Sequence, residues 1–190
     1  MLNTFFQTIQ ATDEAILLWI QNNIQSDLLS PWITAFTALG NAGKIWIVLG
    51  LLLLVPRATR RVGFYTLVAL FFSLLITNMT LKPMFNRPRP YVTMDVLSPL
   101  VISGDPNSFP SGHTSTAFAA GVTWFAITSH PWIRTLALAQ AFLMGLSRLY
   151  VCVHYPTDVL IGALAGTLAA ILAVLLLRTI EKRRNKLFLQ

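Results

Sequence analysis

The sequence predicts an all-α fold, an integral membrane helical bundle of about six transmembrane helices. Three observations predict it. First, 55% of the 190 residues are hydrophobic and only 11% are charged, whereas a soluble domain carries about 25% charged residues. So few charges cannot cover a water-facing surface, and so apolar a chain is not a disordered one. Second, several apolar runs approach the ~20 residues needed to cross roughly 30 Å of hydrocarbon. Third, Lys and Arg punctuate those runs instead of forming one basic face, which is how a membrane protein fixes its topology. The net charge of +7 therefore speaks for membrane orientation and against nucleic acid as a partner. The single cysteine, Cys152, excludes an internal disulfide and a Cys-based zinc site.

Residues 1–190 read as one membrane-embedded domain. Residues 1–43 supply an interfacial helix and the first part of the bundle. The first ten residues contain no Lys or Arg, so no cleavable signal peptide is expected. Ile16, Leu17, Trp19, Ile20, Ile24, Leu28 and Leu29 have the spacing of an amphipathic helix at the interface, and Pro31 is expected to break it. The apolar stretch from 32 to 43 joins 45–55 to make a span, and 62–81 is a second run without a charge. Segment 83–112 follows, with six of the ten prolines: Pro83, Pro88, Pro90, Pro99, Pro106 and Pro110. It reads as an ordered extracytoplasmic loop with neither helix nor central strand. Runs 114–128, 132–146 (reaching Tyr150) and 157–177 complete the bundle.

If these spans alternate, three basic groups fall on one side. They are Arg57, Arg60 and Arg61; Arg134; and Arg178, Lys182, Arg183, Arg184 and Lys186. The positive-inside rule makes that side cytoplasmic and puts 82–112 and 150–156 together on the outer face of the cell inner membrane. Gly162 and Gly166 have GxxxG spacing, expected to serve close packing within the bundle. The chain is then a monomer or weak dimer in the lipid bilayer.

The outer face should be poor in Lys and Arg, yet it carries Lys82, Arg87, Arg89 and Arg148 together with two histidines. Cations kept on the disfavoured side call for an anionic ligand. Pro110-Ser111-Gly112-His113 opens a span. Ser111 is a good N-cap, and the helix start presents free N–H groups to an anion. Gly112 lets a phosphate approach the backbone. In the third cluster, Asp158 lies four residues after His154. From there it can hold one imidazole nitrogen and aim the other. Cationic forks and N–H donors stabilise a phosphoryl group in transfer. His154 is the candidate nucleophile and His113 the acid for the leaving oxygen. Asp95 and Asp105 are loop residues without acidic neighbours in sequence, so neither a metal site nor a cofactor is expected.

Lys82 with Arg89-Pro90, then Pro110-Ser111-Gly112-His113, then Ser147-Arg148 with His154 and Asp158 together resemble the type 2 phosphatidic acid phosphatase (PAP2) family. Every patterned position is filled at the family spacing. The resemblance implies a PAP2/haloperoxidase-like core and a phosphohistidine on His154, oriented by Asp158. It implies acid and then base work by His113, and phosphoryl binding by Lys82, Arg89, Ser111, Gly112 and Arg148. Arg87 lies outside the strict pattern and is expected to contact the headgroup. The compact bacterial members suggest a lipid phosphate or diphosphate as substrate: undecaprenyl diphosphate, phosphatidylglycerol phosphate or phosphatidic acid. Two alternatives stay open. A phosphotransferase would use the same intermediate. A non-catalytic transporter of polyanionic lipid would need the cations but not the His-Asp geometry.

Overall fold

Hydrophobic side chains set on helical faces build a bundle whose long helices bury small residues against one another and turn large ones outward. The computed structural model describes residues 2–187. In chain order its helices are α1 (Leu2–Asn23), α2 (Ser30–Leu39), α3 (Lys44–Leu54), α4 (Arg60–Ser73), α5 (Lys82–Phe85), α6 (Pro90–Thr93), α7 (Gly112–Ile127), α8 (Pro131–Tyr150) and α9 (Pro156–Leu187). A 3₁₀ turn (Asn41–Gly43) leads into α3, and a π-helical stretch (Leu74–Leu81) carries α4 into α5. Among the described residues there is no strand, only an isolated bridge between Pro88 and Asn107.

α7 is the central helix. It packs most extensively on α9 and α8, while α4 packs on α3, α9 and α7. The core is made of small residues: Ala117, Ala119, Ala120, Ala141, Ala169 and Ala173 are buried, with Met144 and Phe118 filling between them. Leu, Ile and Phe side chains such as Leu51, Phe71, Leu146, Leu164 and Leu175 are exposed instead. That inversion suits a chain whose outside meets lipid, where close backbone approach drives helix association.

Gly162 and Gly166 show the approach directly. A Cβ on Gly162 would stand 2.6 Å from the Ser111 carbonyl oxygen, and one on Gly166 2.2 Å from that of Ser115. The GxxxG face thus seats α9 on the first turns of α7, as expected for packing within the bundle. We expect Gly166→Ala to lower the thermal midpoint in detergent, costing about 1–3 kcal/mol as overpacking does. An unchanged melt would mean that α7 and α9 can separate without loss.

Two local expectations are corrected. α1 is longer than an interfacial piece within 13–43, and it ends before Ile24. The chain turns through Gln25–Leu29, and Pro31 sits in the first turn of α2, a position where its missing N–H is harmless. The proline-rich segment is not free of helix either. Pro83 lies in the first turn of α5 and Pro90 in that of α6, the same tolerated location.

Two helical stretches, Arg60–Phe85 and Pro156–Leu187, are long and apolar enough to cross a membrane. Ser30–Leu39 with Asn41–Leu54 forms a third candidate, bent by 44°. Among the described residues the candidates by length and composition thus number two to three, where the sequence suggested about six. α7, at 16 residues, is shorter than the ~20 that a straight crossing takes.

The basic groups gather at one end of the bundle. Arg61 pairs with Glu181 at 2.7 Å, joining the start of α4 to the end of α9. Arg178 donates to the Ala126 carbonyl at 3.1 Å and Arg134 to that of Thr128 at 2.8 Å, which adds the α7–α8 turn. The three sequence clusters lie at the other end.

Candidate active site

At that other end the helix termini converge on a cavity of about 540 Å³. Its lining includes Lys82, Arg89, Gly112, His113 and His154, with Asn41, Asn78 and Asp105 beside them. The same cavity runs along Ile47, Leu67, Leu70, Phe71 and Leu74, so a cationic head continues into an apolar wall between α3 and α4.

His154 lies in the turn between α8 and α9 and is 2% exposed. Its Nε2 is 3.3 Å from Arg89 Nη1. A guanidinium can only donate, so Nε2 is the lone-pair nitrogen and the proton sits on Nδ1. Nδ1 lies 3.5 Å from Asp158 Oδ2, within ion-pair range but longer than a well-formed hydrogen bond. It makes no shorter hydrogen bond, and the Ser108 backbone also acts on the ring. Burial, and then the charges of Arg148, Arg89 and Lys82, hold the imidazole pKa well below its usual value. The ring is therefore neutral near pH 7, with its free nitrogen turned to the cavity.

Asp158 is fully buried in the first turn of α9. Its Oδ2 accepts the Tyr155 N–H at 2.9 Å and its Oδ1 accepts Arg87 Nη1 at 2.7 Å. The backbone carbonyl of the same residue receives the Ser111 N–H at 2.9 Å, which ties the second cluster to the third.

Ser111 caps α7 as expected. Its Oγ accepts from the Thr114 N–H at 3.4 Å and from Thr114 Oγ1 at 2.9 Å. The Oγ lone pairs thus serve the cap while its O–H stays free to donate, and the cavity is faced by Gly112 and His113. A Cβ at Gly112 would meet only Asn78 Oδ1, at 3.7 Å, so the backbone there is open to a ligand. Deeper in α7, Ser115 Oγ bonds both Ser73 Oγ (2.7 Å) and Thr77 Oγ1 (2.8 Å). That pins the helix to the π-helical stretch from which Lys82 emerges; such stretches recur at functional sites.

Four polar residues without a motif enter the site. Asn41 Oδ1 is 3.0 Å from His113 Nε2, so that nitrogen carries a proton. The turn bearing Asn41 has left-handed backbone at Ala42 (φ +52°) and Gly43 (φ +68°). For alanine this conformation is strained. Asp105 pairs with Lys82, and its carbonyl accepts Arg89 Nε at 2.6 Å. Burial opposes ionisation of Asp105, but the hydrogen bonds from Lys82 and the Asn107 N–H prevail and hold its pKa below the usual value. Thr37 Oγ1 accepts Arg148 Nη1 at 2.8 Å. Asp13 lies behind the site and contacts Arg87. None of the four adjoins a cluster in sequence, so sequence spacing could not place them.

Lys82, Arg89, His113, His154 and Gly112 thus share one cavity. Arg148 is 3% exposed and does not line it, but its charge acts on His154. Its Nε is buried without a hydrogen-bond partner. Arg87 departs from the expected headgroup contact. Its guanidinium is spent on Asp158, Thr157, Asp13 and Gln10, on the far side of Asp158. Among the described residues no group of three or more His, Cys, Asp or Glu side chains is placed to hold a metal ion.

Residues 63–182 match the PAP2 superfamily model. An undecaprenyl-diphosphatase from Sulfolobus acidocaldarius is 33% identical over 130 residues, 68% of this chain and 62% of that protein. The chain thus spans less than two thirds of that relative. A crystal structure of LpxE from Aquifex aeolicus superposes with a TM-score of 0.72 at 30% identity, covering 83% of this chain and 92% of that one. A transmembrane PAP2-type phosphatidylglycerolphosphate phosphatase from Bacillus subtilis superposes with a TM-score of 0.74 at 28% identity, covering 91% and 88%.

Proposed function

The chain belongs to the PAP2 superfamily, and from that premise we propose that it removes phosphate from a membrane lipid phosphate or diphosphate through a phosphohistidine on His154. The observation that carries the reading is the single cavity in which a neutral, aimed imidazole, a second histidine and two cations meet an apolar wall. A head with a terminal phosphate and a hydrocarbon tail suits a cavity with a cationic end and an apolar wall. Undecaprenyl diphosphate, phosphatidylglycerol phosphate and phosphatidic acid all have both, and the names of the relatives fall in the same class.

In this reading the phosphate lies against Lys82, Arg89 and the first-turn N–H groups at Gly112 and His113, with the buried charge of Arg148 behind them. Ser111 acts by holding that first turn in place. His154 Nε2 forms the bond to phosphorus as the bond to the leaving oxygen breaks. His113 gives that oxygen its proton. Asp158 offsets the positive charge that develops on the imidazole. His113, now neutral, takes a proton from water. The water oxygen bonds to phosphorus, the P–N bond breaks, and His154 is restored. Lys82, Arg89 and Arg148 supply the charge stabilisation that a divalent ion gives in other phosphoryl transfers.

The basic end, by the positive-inside rule, faces the cytoplasm. The cavity then opens at the extracytoplasmic face of the inner membrane, at headgroup depth.

The test is phosphate release in detergent from a panel of these three lipids. We expect turnover to survive EDTA and to be inhibited by vanadate, whose trigonal-bipyramidal form resembles the transferring phosphoryl group. Activity lost in EDTA and restored only by Mg²⁺ would overturn the metal-free reading. Transfer of phosphate to an added lipid alcohol in preference to water would reassign the chain as a phosphotransferase.

A further inference from the structure

α1 lies outside the residues that match the family model, yet it sends one carboxylate to the back of the site. Asp13 is 2% exposed, and a buried carboxylate is tolerated only when it is paired and hydrogen-bonded. Its Oδ1 accepts the Thr157 N–H at 3.0 Å. Its Oδ2 accepts Arg87 Nη2 at 2.8 Å and Thr157 Oγ1 at 2.5 Å.

Arg87 extends the chain of contacts. Its Nη2 also donates to Gln10 Oε1, and its Nη1 donates to Asp158 Oδ1 at 2.7 Å. The guanidinium carbon stands 3.8 Å from the centre of the Tyr155 ring. One cation is thereby shared between two buried carboxylates, Asp13 and Asp158. Asp158 in turn faces His154 Nδ1.

The sharing has an electrostatic consequence. A guanidinium committed to Asp158 alone would neutralise it and weaken its hold on the imidazole. With Asp13 taking part of that charge, the three groups carry a net −1, and Asp158 keeps its negative character towards Nδ1. Asp13 also fixes the guanidinium, and so the carboxylate oxygen that it grips.

We infer that Asp13 is a positioning residue for the nucleophile. Acting through Arg87, it leaves Asp158 charged and aimed at His154. The inference rests on the reading of His154 as the nucleophile. It gives α1 a part in the reaction beyond covering the bundle.

The competing explanation is mechanical: Asp13 merely pins α1 to α9. A second contact separates the two. Gln21, also on α1, donates to the Val96 carbonyl at 3.1 Å and accepts the Ser98 N–H at 2.7 Å. Gln21→Ala loosens α1 without changing the charge at Arg87.

The experiment measures phosphate release from dioctanoyl phosphatidic acid by the full chain in detergent, with a thermal melt for each variant. Asp13→Asn is expected to lower kcat about tenfold, the low end of what losing a hydrogen-bonded partner behind a reacting group costs, with KM within about twofold of the wild type. Asp13→Glu should recover much of the loss, and Gln21→Ala should keep the wild-type kcat. Rates that rank by charge at position 13 rather than by melting temperature support the inference. A wild-type kcat in Asp13→Asn, an equal loss in Gln21→Ala, or a kcat that follows the melt would overturn it. His154→Ala is run in parallel. If it stays active, the nucleophile assignment fails whatever Asp13 does. If it is dead while Asp13→Asn is fully active, only the present inference fails.

Discussion

His154→Ala is expected to abolish phosphate release, a loss of about 10⁶-fold in kcat, the scale on which a covalent enzyme fails without its nucleophile. A labelled phosphoenzyme, trapped in the wild type on quenching, should be absent from the variant. The reason is geometric. Nε2 is the one nitrogen of that ring held free of a proton, because Arg89 can only donate to it. Alanine leaves the cations in place, so the substrate should still bind with little change in affinity. The wild-type pH profile supplies a second check. Attack needs His154 neutral, and burial with the charges of Arg148, Arg89 and Lys82 holds its pKa well below 6.5. A lowered pKa preserves the reactive form as the pH falls, so the acid limb of kcat/KM, which reports the free enzyme, should lie below pH 6.5. The leaving group needs a proton from His113, whose own pKa is lowered to about 2 by burial and then by Arg148, His154, Arg89 and Lys82. His113 therefore becomes the charged acid only when bound phosphate offsets the cations. The alkaline limb should then appear in kcat, with substrate bound. The two limbs belong to the coupled histidine pair. Full activity in His154→Ala would place the nucleophile elsewhere.

The sequence carried the apolar bundle and the three clusters because both are local patterns. Apolar runs declare lipid contact, and Ser111 before Gly112 declares a helix start. His154 and Asp158 are four residues apart, so their proximity follows from the first turn of α9. The Gly162–Gly166 spacing foretold the packing face, since a missing side chain marks where a backbone comes close. Contacts between distant residues were not legible. Asn41 reaches His113 across 72 positions, from a turn whose left-handed residues include an alanine. Asp105 carries no neighbouring acid in sequence, and folding sets it on Lys82. Asp13 adjoins none of the three clusters in sequence. Only the docking of α1 on α9 reveals it as a buried partner of Arg87. Arg87 was not legible as that partner either. It lies two residues before Arg89, and the loop turns the two guanidinium groups to opposite sides of the His154–Asp158 pair.

Asp158→Asn is expected to lower kcat by about 10²- to 10⁴-fold while leaving the chain folded; the upper figure is what the same change costs in a comparable Asp–His pair. The isosteric amide has one acceptor where the carboxylate has two. Arg87 requires an acceptor at one oxygen position (2.7 Å), and the Tyr155 N–H requires one at the other (2.9 Å). With the amide oxygen facing Arg87, the NH₂ group points at the Tyr155 N–H and towards His154 Nδ1. Donor then meets donor, and the imidazole is driven to the tautomer with its proton on Nε2. That nitrogen faces the N–H of Arg89 at 3.3 Å, so the second tautomer is opposed as well. The ring must turn out of line or attack from a minor form, and the phosphohistidine, once formed, lacks its counter-charge. The loss should therefore fall on the phosphorylation step, seen as slow phosphoenzyme formation in a single turnover, with KM little changed. Asp158→Glu should recover only part of the rate, because the longer side chain displaces the oxygen from Nδ1. A near wild-type single-turnover rate in Asp158→Asn would mean that Arg89 and the backbone of the 151–155 turn aim His154 unaided.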